Sequence, residues 1–299
     1  MEIVVNREAR LAVFGFVGGR NGEVPVLADL GKGSKIKLKE YRGYSPFDIS
    51  RDGRYLVLGS NVTAKNRTRT TLVVYDRERE RPVYEGAGHI YSDARFDATG
   101  TRLIIQTLKK TFVLDWGSGR TPNEWKADLF LSKGAMDYQM NRLYLPVDNG
   151  KRVLLYDWTT GAEREVAVEG SKVTQMVYLD KLDRVILSTK DNQLICYDRE
   201  LEAPLWQQDC GAFRGGKSRI WPCPLHVTED NARVCVLESG GKGYGYVLAT
   251  ADGSLVDQLV FKKDTRRIAC SWFGDEMLLH DKKLLNLATG KRYRLKQQS

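Results

Sequence analysis

The eight residues Gly211-Ala212-Phe213-Arg214-Gly215-Gly216-Lys217-Ser218 satisfy the phosphate-loop pattern GxxxxGK(S/T) in full. In a nucleotide-binding fold such a loop wraps phosphate oxygens with backbone N–H groups, its lysine neutralises charge, its hydroxyl binds magnesium, and the following helix adds its dipole. Here Arg219-Ile220-Trp221-Pro222-Cys223-Pro224 follows instead. Each proline removes an N–H and fixes φ, so no helix continues from the loop, and a strand pattern resumes after it. The segment reads as a glycine-rich basic connection that keeps at most an anion-binding nest, without NTPase chemistry.

Other reactive side chains are dispersed. The three histidines, His89, His226 and His280, fall far apart, and no serine or cysteine beside them carries a nucleophile signature. His89, in the pair Gly88-His89, is expected to hydrogen-bond locally, and His226 is the one whose strand position admits a channel-facing role. No carboxylate pair for acid/base work stands out, because strand register is not legible from sequence. Of the five cysteines, Cys196, Cys235 and Cys270 lie in apolar strand patterns, where a thiol serves as a small hydrophobe. Cys210 and Cys223 form no CxxC pair, so neither a zinc site nor any cofactor is expected.

These residues are carried by a repeat. An arginine followed by an apolar residue recurs as Arg10-Leu11, Arg54-Tyr55, Arg102-Leu103, Arg142-Leu143, Arg184-Val185 and Arg233-Val234, and one more step reaches Glu276-Met277. Successive arginine positions differ by 44, 48, 40, 42 and 49. Downstream of the first five lies an apolar pair and then aspartate, as in Leu27-Ala28-Asp29, Val74-Tyr75-Asp76, Val113-Leu114-Asp115, Leu155-Tyr156-Asp157 and Cys196-Tyr197-Asp198, while the sixth unit has Thr250-Ala251-Asp252-Gly253 and the last Leu287-Ala288-Thr289-Gly290. Aspartate suits that place because its carboxylate accepts hydrogen bonds from the backbone just ahead and closes a hairpin. Segments such as Tyr55-Leu56-Val57-Leu58 and Leu103-Ile104-Ile105 are short, apolar and β-branched. A period in the forties with strand content predicts an all-β, single seven-bladed β-propeller of four-stranded antiparallel blades, with approximate blades 1–42, 43–87, 88–130, 131–169, 170–210, 211–264 and 265–299. Four strands are expected in the first unit, Ile3 to Asn6, Leu11 to Val17, Val24 to Ala28 and Lys35 to Tyr41, with ring closure lacking a borrowed strand.

On these repeats the chain resembles the WD40-like propeller superfamily, including its relaxed bacterial repeats. Gly88-His89 matches the family's GH dipeptide once, reversed Asp115-Trp116 and Asp157-Trp158 stand near the place of its terminal WD, and Pro204-Leu205-Trp206 looks like a quinoprotein-type repeat. The resemblance implies that the second-to-third-strand loops and the inter-blade connections emerge on one face. Net charge is +9, and most of the excess falls in those loops, where acidic residues are about half as many as basic ones. Extended loops are expected at Gly18 to Glu23, Ser60 to Thr70 and Gly240 to Gly245, joined by the long connection Cys210 to Trp221, with aromatics Phe213, Trp221, Tyr244 and Tyr246 among the cations.

The candidate partner-binding residues are Arg20, Lys65, Arg67, Arg69, Arg214, Lys217, Arg219, Trp221, Lys242, Tyr244, Arg266 and Arg267. Three readings of this face stand open: solvated charge, a docking surface for an acidic protein or peptide, and a nucleic-acid surface. The expectation is a non-catalytic scaffold within a multiprotein assembly, monomeric by itself, with nucleic-acid binding as the alternative and an enzyme with a channel site as the second. Charged residues follow Met1–Asn6 at once and no run approaches ~20 apolar residues, which predicts a cytoplasmic chain without leader or membrane contact.

Overall fold

The two recurring markers meet across one hairpin. In the computed structural model Arg102 faces Asp115, Arg142 faces Asp157 and Arg184 faces Asp198 as cross-strand partners. The arginine begins the second strand of the third to sixth units, and the aspartate ends the third strand of the first to fifth. The structure describes residues 2–6, 8–15, 24–64, 67–97, 99–107, 110–126, 134–214, 225–228, 230–237, 243–261, 270–272, 277–280, 283–286 and 292–294.

Seven four-stranded antiparallel sheets result, each built from consecutive strands. The first is β1 (Glu2–Asn6), β2 (Leu11–Gly15), β3 (Val26–Asp29) and β4 (Ser34–Lys37); the second is β5 (Ser45–Ile49), β6 (Tyr55–Ala64), β7 (Arg67–Asp76) and β8 (Arg81–Ala87). The third is β9 (Tyr91–Phe96), β10 (Arg102–Thr107), β11 (Lys110–Asp115) and β12 (Arg120–Lys126); the fourth is β13 (Ala135–Asp137), β14 (Arg142–Val147), β15 (Arg152–Asp157) and β16 (Glu163–Ala167). The fifth is β17 (Val173–Leu179), β18 (Arg184–Thr189), β19 (Gln193–Asp198) and β20 (Pro204–Asp209); the sixth is β21 (His226–Val227), β22 (Arg233–Leu237), β23 (Gly243–Ala249) and β24 (Leu255–Phe261). The last, β25 (Cys270–Trp272), β26 (Met277–His280), β27 (Lys283–Asn286) and β28 (Arg292–Arg294), is described by its backbone alone. Neither the first nor the last sheet takes a strand from the other terminus.

Burial explains the apolar runs. Leu56 and Leu58 pack with Leu11, Val13 and Leu27 of the first sheet, while Val57, between them, packs with Leu103 and Ile105 of the third. The fifth sheet repeats this: Val185 and Leu187 face Tyr144 and Val153, and Ile186 faces Val234 and Val236. Alternate residues of one strand therefore enter two different cores. A middle strand covered on both faces must be apolar throughout, and each such side chain contributes about 1.5–3 kcal/mol.

The chain forms two compact units. One joins Met1–Ala127 to Ala269–Ser271 and Leu278–Ser299, so it holds both chain ends; the other is Asp128–Ile268 with Trp272–Met277. Within the first, β1 packs on β5 and β5 on β9; within the second, β13 packs on β17 and β17 on β21. In these pairs the first strands meet one another, alongside the packing of the middle strands.

The turn aspartates do what their position requires. Asp29 Oδ1 accepts from the N–H groups of Gly31 (3.0 Å) and Lys32 (2.9 Å), Asp76 Oδ1 from Glu78 (2.9 Å) and Arg79 (3.2 Å), and Asp157 Oδ1 from Thr159 (2.8 Å) and Thr160 (2.9 Å). Each turn then needs one left-handed residue, supplied by Gly119 (φ 72) and Gly161 (φ 75) but by Glu80 (φ 53) and Leu201 (φ 56) in the second and fifth sheets.

Three expectations are corrected. The strand expected over Lys35 to Tyr41 ends at Lys37, and Lys39–Tyr41 is a 3₁₀ turn, because Leu38 and Tyr41, three apart, both enter the core between the first two sheets. Ser60 to Thr70 is not a loop: β6 and β7 run on to Ala64 and Arg67 as a paired hairpin, since Val62, Thr63, Thr68, Thr70 and Thr71 are β-branched and suit strand backbone. Gly243 to Gly245 likewise belong to β23 rather than to a loop, while Gly18 to Glu23 lie outside the described residues.

Replacing Asp157 with alanine removes two charge-assisted hydrogen bonds and is expected to lower unfolding free energy by about 1–3 kcal/mol in urea denaturation. A change under ~0.5 kcal/mol would remove the turn role assigned to it.

Candidate interaction face

Antiparallel order gives every sheet two ends. One carries the first-to-second and third-to-fourth turns, and the other carries the second-to-third connection and the link to the next sheet. At the turn end several arginines are engaged. Arg54 Nη2 lies 2.9 Å from Asp76 Oδ2, and this hydrogen bond, against the cost of burial, holds the Asp76 carboxyl below the usual carboxylate range. Arg142 and Arg164 of the fourth sheet both hold Glu200 of the fifth, at 2.5 and 2.7 Å. Arg199 reaches back to Asp137 at 3.0 Å and also pairs with Asp183. Arg184 Nη1 donates to the Thr250 and Ala251 carbonyls of the sixth sheet, and Trp206 Nε1 donates to Thr250 O at 2.9 Å. These contacts tie neighbouring sheets together.

The loop end is electrostatically different. Lys110 pairs with Glu124 at 2.6 Å and Arg152 with Glu165 at 3.1 Å. Lys151 and Lys190, in the second-to-third connections of the fourth and fifth sheets, are exposed and form no ion pair among the described residues. The neighbouring acid Asp191 is already committed: burial works against its charge, yet hydrogen bonds from Thr189 and Ser171 hold its carboxyl below the usual range. Cationic charge at this end is left to solvent or to a partner.

Of the sequence-predicted site residues, Arg67 and Arg69 lie on β7, opposite Ala64 and Val62 at the loop end of the second sheet. Arg214 closes the 3₁₀ segment Cys210–Arg214, in which Asp209 Oδ1 accepts from Gly211 N–H at 2.8 Å. Arg20, Lys65, Lys217, Arg219, Trp221, Lys242, Arg266 and Arg267 lie outside the described residues. The aromatic part of the prediction is corrected. Tyr246 is fully buried, Phe213 packs on it with ring centroids 4.9 Å apart, and partly buried Tyr244 packs against the same core. Two residues apart on β23, Tyr244 and Tyr246 share one sheet face and serve packing.

Two further expectations meet the structure here. His89 makes ring contacts with Tyr91 and Phe112 rather than the expected hydrogen bond, and burial followed by the charge of Lys110 pushes its pKa down. The thiols of Cys196 and Cys210 are buried and free, and burial pushes each up to about 12, so neither is a nucleophile at neutral pH. Among the described residues no three His, Cys, Asp or Glu side chains are grouped as metal ligands, and no helix is long and apolar enough to cross a membrane.

Sequence reasoning missed a carboxylate pair on stacked first strands. Asp48 of β5 accepts the Phe96 N–H of β9 at 2.8 Å, linking the second and third sheets, while Asp93 of β9 is buried and pairs with Arg95 at 3.0 Å. Although Asp48 keeps some accessible surface, burial pushes its pKa up to about 7; the N–H groups of Phe96 and Ile49 and the charge of Arg95 act against this, and Asp93 adds to it. An aspartate inside each of these first strands, between Phe47 and Ile49 in one and beside Ala94 in the other, was the available signal. Because the folded pKa lies above the ordinary value of 3.8, the folded state binds the extra proton, and this contribution to stability is complete below the ordinary pKa and lost as pH rises through about 7. Asp48→Asn keeps an acceptor for Phe96 N–H and should flatten the fall in urea midpoint between pH 4 and pH 8; an unchanged slope would show that Asp48 does not titrate in that window.

No family model matches the chain, and no curated protein matches it. Among solved structures it is similar to the β-propeller domain of Cps50 (Swd1) from Myceliophteria thermophila, at 13% identity and a TM-score of 0.71, covering 97% of this chain and 94% of that one. It is also similar to a chain in a crystal structure of the Mitotic Checkpoint Complex, at 10% identity and a TM-score of 0.70, covering 98% of this chain and 86% of that one. At such identities the likeness concerns the fold: the chain is an all-β propeller of four-stranded antiparallel blades.

Proposed function

We propose that the chain is a seven-bladed propeller that acts as a non-catalytic scaffold, presenting its loop end to an acidic segment of a partner protein within an assembly. The observation that carries this lies in the fourth and fifth sheets: Arg142, Arg164 and Arg199 at the turn end are held in ion pairs, while Lys151 and Lys190 stand exposed at the loop end of a chain with net charge +9. A similar fold within a multiprotein complex supports the scaffold role. Loops fixed in advance by stacked sheets lose little ordering entropy on docking, so a modest number of cations can hold an acidic chain. The cations proposed to take part are Arg67 and Arg69 on β7 and, in the other compact unit, Arg214 of the 3₁₀ segment; Arg219 is added on its sequence position alone.

The test uses a labelled glutamate- and aspartate-rich peptide and an oligothymidylate of equal charge. Changing Arg67, Arg69, Arg214 and Arg219 together to glutamate should weaken peptide binding by about tenfold or more without lowering the melting temperature. Equal binding by the variant would contradict the docking surface. Tighter, steeply salt-dependent binding of the oligothymidylate would instead favour nucleic acid as the ligand.

A further inference from the structure

The fourth strand of a sheet leaves one row of N–H and C=O groups without a sheet partner, an edge that proteins ordinarily blunt with charge or proline. Most of these strands follow that rule. Proline stands in β8 (Pro82), β12 (Pro122) and β20 (Pro204), while β4, β16 and β28 each carry at least two charged residues in five or fewer. The exception is β24, Leu-Val-Asp-Gln-Leu-Val-Phe, with no proline and one charge, Asp257. Its apolar side chains are uncovered: Leu255 is 44% exposed, Val256 51% and Val260 61%.

The register shows which groups face outward. β24 pairs only with β23, Leu259 opposite Gly245 and Gln258 opposite Tyr246, and no strand pairs with its other edge among the described residues. The Gln258 N–H donates to Asp257 Oδ1 at 2.7 Å, which marks it as a donor turned away from β23. Backbone direction alternates along a strand, so Val260 presents its N–H and C=O to the same side. The irregularity near Val256 recurs between the third and fourth strands of the second, third and fifth sheets, so it is part of the common fold and no special guard of this edge.

We infer that β24 is a second docking surface, separate from the basic loop end, which receives an extended segment of another protein as an added strand. That segment is apolar at alternate positions and carries a lysine or arginine near Asp257. The incoming strand takes over the Gln258 N–H, and the released carboxylate receives the cation. Charge argues for a different protein rather than a second copy: a second β24 offers only another aspartate, and each copy brings a net charge of +9.

The probe is a set of blocked nonapeptides alternating valine and threonine, with one lysine stepped along the sequence. At least one should bind by fluorescence anisotropy and slow amide exchange at Gln258 and Val260 by about tenfold. Proline is tolerated where an edge N–H faces solvent, so Gln258→Pro should keep the melting temperature within a few degrees and weaken binding by about tenfold, as should Val260→Lys. The inference is overturned if no peptide binds, if binding survives Gln258→Pro, or if sedimentation reveals a dimer that Gln258→Pro dissociates. The basic residues are untouched in these variants, so their outcome is independent of the loop-end reading.

Discussion

Burial of each middle strand on both faces is the constraint from which the rest of the structure follows. A strand such as β18 sends Val185 and Leu187 into one core and Ile186 into another. No sheet can satisfy that pattern alone, so each must be stacked between neighbours. The same requirement removes polar side chains from most of the sheet interior and leaves turns, loops and outer strands as the places where recognition can occur. The few polar groups that stay inside, such as Asp48 and Asp137, are tied to the adjacent sheet through Phe96 N–H and Arg199.

The two ends of the sheets divide their work because their side chains differ in reach and partners. Short aspartates at the turn end accept backbone N–H groups two and three residues ahead, and guanidinium groups beside them span to the next sheet, as Arg142 does to Glu200. Planar, multidentate arginine suits that bridging task, whereas the exposed ammonium groups of Lys151 and Lys190 carry charge without fixing geometry.

Much of this was legible because the markers are turn-forming residues at a regular period. Arginine at the start of a second strand and aspartate at the end of a third predicted the hairpins, and the register makes them direct partners in the third, fourth and fifth sheets. The errors arose where composition and backbone geometry diverge. Threonine and arginine over 60–70 read as a polar loop, but β-branching favours the extended β6–β7 hairpin. Tyr244 and Tyr246 read as contact aromatics, yet their two-residue spacing on β23 turns them toward the core. Asp48 and Asp93 could not be paired without knowing which first strands stack. The sparing of β24 from charge and proline was present in the sequence, but its meaning requires knowing that this strand ends a sheet.

The most direct measurement of the central claim is a hydrogen-exchange footprint of the protein with and without a bound acidic peptide. The account predicts slowed exchange in the second-to-third connections around 148–151 and 189–192, with the aspartate turns at 157–161 and 198–202 unchanged. Protection confined to those turns, or spread equally over both ends, would contradict it.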